Sequence, residues 1–177
     1  MLGLPVVVAP SEVQEIALPR EVPAAYARRL ARAKARAVPG EYVLGADTIV
    51  VVDGEVLEKP RDEADALAML RRLQGRRHEV ITAICLIAGG VEYEAADTTA
   101  VFFRAADDAT LRRYVATGEP MDKAGGYGIQ GFGAALVERI EGDFFSVMGL
   151  PVRLVIDLLE RAGRPYRYGR PAAGPPV

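Results

Sequence analysis

Tyr42-Val43-Leu44-Gly45-Ala46-Asp47-Thr48-Ile49-Val50-Val51-Val52-Asp53-Gly54-Glu55-Val56-Leu57 is the stretch that decides the fold class. Its β-branched, apolar run predicts a long strand over Tyr42–Val52. Asp53-Gly54 is the residue pair that tight hairpin turns demand, so Glu55-Val56-Leu57 is expected to fold back as a short partner strand. Asp47 interrupts the pattern. A carboxylate in an apolar sheet is costly unless a cation or hydrogen-bond donors meet it. An outward position on a half-exposed strand would account for it, but we favour a site carboxylate, either a metal ligand or the base for a water. Gly45 and Ala46 beside it are small enough to leave room for a ligand near the backbone.

Ahead of the hairpin, residues 24–37 predict a helix that stops at Pro39-Gly40. On a helical wheel Tyr26, Leu30, Ala33 and Ala37 fill one side of an apolar arc, and Ala24, Ala27, Ala31 and Ala35 the other. Arg28, Arg29, Arg32 and Arg36 lie opposite. Lys34 falls inside the arc, which points to an inward lysine meeting an anion rather than one snorkelling at the edge. Residues 4–9 read as a short strand.

Beyond the hairpin, Pro60 breaks the chain and Asp62 can cap a helix carrying Leu67, Leu70 and Leu73, closed by Gly75. Strands are expected over 80–88 and 91–103, joined at Gly89-Gly90. Asp107 or Asp108 caps a helix through Leu111, Tyr114 and Val115. A Gly-rich loop over 118–133 leads into a strand over 134–140. Pro151 suits the first position of a last helix, ended by Gly163. The residues from Arg164 onward read as a loose tail. Two hairpins among irregularly alternating strands and helices predict an α/β fold with a mixed, twisted sheet and flanking helices.

Composition narrows the chemistry. At 177 residues the chain is one ordinary domain or at most two small ones, half hydrophobic and 26% charged. The apolar runs are too short to span a bilayer, and no signal peptide is evident, so no membrane partner is expected. A net charge of −2 gives no basic footprint for nucleic acid. One histidine, His78, excludes multi-histidine metal centres, and one cysteine, Cys85, excludes an internal disulfide. A reducing cytoplasm is the default. Of 22 basic residues only Lys34, Lys59 and Lys123 are lysines. A lysine is a steerable point charge suited to phosphate oxygens.

Lys59, in Glu58-Lys59-Pro60, reads by itself as an exposed turn lysine held extended by Pro60. Asp122-Lys123-Ala124-Gly125-Gly126-Tyr127-Gly128-Ile129-Gln130-Gly131 allows close backbone approach to a ligand, with Lys123 and Gln130 available for polar substrate groups. It is neither a P-loop nor a dinucleotide fingerprint. His78 reads as a surface or structural histidine and Cys85 as inert core. Three lysines, scattered carboxylates and a Gly-rich loop, without a nucleophile–base pair, suit a polyphosphate held with a divalent ion.

These residues resemble the Maf family of nucleoside triphosphate pyrophosphatases, once described as septum-formation inhibitors. The resemblance runs in order over about residues 2–163. It is carried by Ser11-Glu12-Val13-Gln14-Glu15, the helix around Lys34, Gly45-Ala46-Asp47-Thr48, Glu58-Lys59-Pro60, residues 75–82 with His78, residues 122–131, and residues 142–151. Ala83 and Ser146 depart mildly from the family's usual Gly and Asn.

The resemblance implies a single domain over 1–163 with a tail over 164–177. The fold would be similar to that of inosine triphosphate pyrophosphatases, with a nucleotide cleft between two lobes. It implies hydrolysis of a nucleoside triphosphate to the monophosphate and pyrophosphate with a divalent cation, Mg or Mn. Asp47 would accept the proton of the attacking water, Glu15 and Asp47 would hold metal, and Lys34, Lys59 and Lys123 would meet the phosphates. Asp47-Thr48 and Ile129-Gln130 resemble the dTTP- and UTP-preferring subgroup, making Thr48 and Gln130 expected readers of the base. A cytoplasmic homodimer is implied too. The family's older name leaves a second reading, a catalytically weak nucleotide-binding regulator of cell division. The family's opening strand and Ser-x-x-Arg-Arg loop do not occur in this sequence. We therefore expect either a start further upstream or a weakened relative.

Overall fold

The computed structural model describes residues 3–168. Its centre is a five-stranded sheet in the order β2-β1-β3-β4-β5. Strand β1 (Tyr42–Val52) turns through Asp53 and Gly54, both at positive φ, into β2 (Glu55–Leu57). The longer strands β3 (Arg77–Ala88) and β4 (Val91–Phe103) form a second hairpin around Gly89-Gly90. Strand β5 (Val137–Glu141) pairs with β4 at the far edge. Every pairing among these strands is antiparallel, where a mixed sheet was expected. The tight turns impose this for the hairpins. Helix α2 (Glu63–Leu73) carries the chain from β2 to the far side of β1, so β2 and β3 run the same way without touching.

Side-chain alternation divides the molecule into two layers of core around the sheet. Ile49 and Val51 of β1 and Ile81, Ala83 and Cys85 of β3 pack against Tyr26, Ala27, Leu30, Ala31 and Ala35 of α1 (Pro23–Arg36). Val50, Val52 and Val80 face the other way, onto α2 and α3 (Asp108–Val115). Further along that second face, Ile84, Leu86 and Ala88 meet α5 (Val152–Arg161), which follows the single turn α4 (Phe144–Val147). Asp62 caps α2 by accepting from the Asp65 amide, and Asp107 caps α3 by accepting from Thr110. Such caps are worth about 1 kcal/mol each.

Several boundaries differ from the sequence-based expectation. Residues 4–9 are not a strand; Val7 is 95% exposed and Val8 90%. No described strand pairs with this segment and its valines stay in solvent, so the β-branched pattern is not realised as a strand. Strand β3 begins at Arg77, so His78 lies inside the sheet. The Gly-rich loop contains three 3₁₀ turns (Glu119–Asp122, Ala124–Gly126 and Gly131–Leu136), and the last of them delays β5 to Val137. Pro151 is the N-cap of α5 rather than its first residue. Residues 164–168 carry no helix or strand, and the rest of the expected tail lies outside the described residues. Among the described residues no helix is long and apolar enough to cross a membrane.

Candidate active site

Strand β3 covers β1 along Tyr42–Val51, but β2 covers only Val50–Val52 on the other side. From Tyr42 to Ile49 the outer edge of β1 therefore has no strand partner among the described residues. A cleft of about 400 Å³ opens there. All seven residues expected from the sequence line it: Glu15, Lys34, Asp47, Thr48, Lys59, Lys123 and Gln130.

One wall comes from α1. Gly45 is what lets α1 lie against β1: a Cβ there would collide with the Ala31 carbonyl oxygen and the Ala35 amide. Its smallness thus serves the helix and not a ligand, contrary to the sequence reading, while Ala46 does line the cleft. This close approach lays Lys34 over Asp47. Lys34 Nζ is 2.7 Å from Asp47 Oδ1 and 2.6 Å from Glu15 Oε1. Glu15 Oε2 accepts in turn from Lys59 Nζ at 3.2 Å. The lysine placed inside the apolar arc does meet anions, and Lys59, unremarkable in the sequence, joins the same cluster.

Burial and pairing oppose one another in this cluster. Asp47 is only 6% exposed, and its Oδ2 is buried without a hydrogen bond. Burial raises the Asp47 pKa and outweighs the lowering by Lys34. Burial would depress Lys34, but its bonds to Asp47 and Glu15 overcome that and raise it. Burial likewise pushes Glu15 up, while Lys34 and Lys59 pull it below the usual carboxylate value. The product is a charged lysine beside a carboxylate that is unusually basic for an aspartate. One oxygen of that carboxylate is free to take a proton or a cation.

The opposite wall is the Gly-rich loop, fastened at several points. Tyr127 Oη lies 2.7 Å from His78 Nε2, deep in the sheet. The Gly128 amide donates to Tyr114 Oη, which donates to Glu119 Oε1. Glu119 also accepts from the Phe132 and Gly133 amides. The Gly125 amide donates to the Glu58 carbonyl, tying the loop to the Lys59 segment. Gly125 has φ 68°, and a Cβ there would sit 2.8 Å from Val50 Cγ2, so both conformation and space require glycine. Lys123 Nζ is 2.7 Å from Asp122 Oδ1. Exposed Gln130 donates to Met148 Sδ at 3.3 Å, leaving its amide oxygen available.

His78 is structural, as one of its two sequence readings had it, but it is buried and not on the surface. Burial lowers its pKa to about 4, so it is neutral at pH 7. Cys85 is core, and burial pushes its thiol up to about 11. With Glu92 and Glu94 it forms the one cluster of three metal-type ligands found among the described residues. Those carboxylates already face Arg36 and Arg32 of α1, so the cluster fastens a helix. Nothing in the local sequence pattern marks the His78–Tyr127 link, because its residues lie 49 positions apart.

A family model described as "Maf-like protein" matches residues 1–162. A dTTP/UTP pyrophosphatase of Anaeromyxobacter dehalogenans is 52% identical over 174 residues, covering 96% of this chain and 90% of the relative. Proteins of the same name from Symbiobacterium thermophilum and Thermus thermophilus are each 51% identical. Their alignments cover 95% and 92% of this chain, and 89% and 86% of the relatives.

Proposed function

The chain belongs to the Maf family, and from that premise we propose that it hydrolyses dTTP and UTP to the monophosphate and pyrophosphate. The observation that carries the reading is Asp47: a buried carboxylate with one unpartnered oxygen, in a cleft that three lysines line. Water attacks the α-phosphorus and its proton passes to Asp47 as the new P–O bond forms. The bond from the α-phosphorus to the bridging oxygen breaks, and pyrophosphate leaves. Lys34, Lys59 and Lys123 offset the charge that spreads over the phosphoryl oxygens. Thr48 and Gln130 contact the base.

A divalent cation fits the donor set. Asp47 Oδ2 is orphaned, Glu15 is a partly buried carboxylate, and such hard oxygens suit Mg or Mn. Bound there, the cation would neutralise triphosphate charge and polarise the phosphoryl group. The cytoplasmic location and homodimeric state implied by the family resemblance belong to the same reading.

Hydrolysis in ¹⁸O-water tests the reaction. Attack at the α-phosphorus places the label in the monophosphate alone. Label in pyrophosphate, or release of diphosphate and orthophosphate, refutes this chemistry.

A further inference from the structure

Strand register sets Thr48 of β1 directly opposite Thr82 of β3, on the face turned away from α1. Thr82 is fully buried, so no solvent reaches its hydroxyl. Thr82 Oγ1 lies 2.7 Å from the Ser146 carbonyl oxygen and 2.8 Å from Thr48 Oγ1. A carbonyl only accepts, so the single hydroxyl hydrogen of Thr82 goes to Ser146. The Thr48–Thr82 bond must then take its hydrogen from Thr48. With that hydrogen committed to Thr82, Thr48 offers the cleft lone pairs only. Gly149, at φ 104°, leaves this oxygen uncovered; a Cβ there would sit 3.4 Å from it.

We propose that Thr82 is a positioning residue for base choice: by fixing the direction of the Thr48 hydroxyl it makes Thr48 an obligate acceptor, matched to the N3–H of uracil and thymine. The proposal rests on the reading that the cleft takes dTTP and UTP. Cytosine carries a lone pair at N3, which would face the lone pairs of Thr48. An acceptor facing an acceptor in a partly desolvated site is costly, because neither finds a hydrogen. Sites that hydrogen-bond a donor discriminate well against analogues lacking it. Thr82 touches no substrate; it acts through Thr48.

The test compares UTP, CTP and N3-methyluridine triphosphate, by kcat/KM, on the wild-type chain and on Thr82→Val and Thr82→Ser. The wild type should prefer UTP over both others by roughly 10- to 100-fold. Thr82→Val frees the Thr48 hydrogen to turn into the cleft. The CTP-to-UTP ratio should then rise by about tenfold, whereas Thr82→Ser keeps the wild-type ratio. A purely structural role for Thr82 would lower all three substrates in proportion, and that result overturns the proposal. So does a wild type that treats UTP and N3-methyluridine triphosphate within about threefold of each other, a measurement that needs no variant to fold. Failure to turn over any pyrimidine triphosphate would refute the functional reading itself, a distinct outcome that removes the proposal with it.

Discussion

The two faces of β1 differ in kind, although their residues alternate along one strand. Toward α1, Asp47 sits in a chain of charges, Lys59–Glu15–Lys34–Asp47, bonded at 2.6–3.2 Å. Toward the Gly-rich loop, Thr48 bonds to neutral groups of fixed polarity: Thr82 and, through it, the Ser146 carbonyl. Charges shift one another's pKa values and stabilise charge that develops during reaction. Hydrogen bonds among neutral groups add no charge but discriminate donor from acceptor. On the proposed function, the strand separates reaction from recognition by one residue, because consecutive side chains point to opposite faces.

The sharpest break should come on the charged face. Asp47→Asn keeps shape and removes the proton acceptor, so turnover of dTTP and UTP should fall by roughly 10²–10⁴. Steady-state kinetics with product identification checks this, and intact turnover would remove Asp47 from the mechanism. The lysines should not be equivalent. Lys34 has a side chain 21% exposed and touches both carboxylates, while Lys59 is 55% exposed and touches one. Lys34→Met should therefore reduce kcat/KM clearly more than Lys59→Met. Equal losses would mean that the lysines act only through their summed charge.

On the neutral face the expected effects are smaller and differ in kind. His78 has a folded-state pKa of about 4, below its ordinary 6.5, because it is buried. Its folded form resists protonation, so the unfolded chain binds the extra proton between these values. The stability His78 contributes is complete above pH 6.5 and is lost as pH falls toward 4, by about 3 kcal/mol in total. Urea unfolding at pH 7.5 and pH 4.5 should show a steeper loss for the wild type than for His78→Gln. Parallel losses would assign the acid sensitivity elsewhere. The smallest effect is expected from Gln130→Glu, at an exposed position. It should weaken dTTP and UTP by about tenfold, selectively among nucleotides. Equal losses across a nucleotide panel would mean that Gln130 supports the loop without reading the base.

Much of this division was legible in the chain. The hairpin at Asp53-Gly54, the caps at Asp62 and Asp107, and the inward Lys34 all depend on neighbours within a few residues. Local pattern reports such things. Asp47 stood out because a carboxylate conflicts with the strand around it, and such conflicts mark functional positions. Residues 4–9 misled for the converse reason. Their β-branched pattern states a preference, but a strand is realised only by pairing, and no described strand pairs with these residues.

By itself, then, the sequence determined the hairpins, the helices and which residue types line the cleft, since periodicity, turn chemistry and capping act over short separations. Only the tertiary structure decided that Gly45 admits a helix rather than a ligand, and that Lys59 reaches Glu15 across 44 positions. It also decided that His78 holds Tyr127 and that Thr82 turns the hydroxyl of Thr48. The physical reason is register. A hydrogen bond requires two atoms within about 3 Å, and which strand residues meet across a sheet is fixed by how strands far apart in the chain align, which no local pattern encodes.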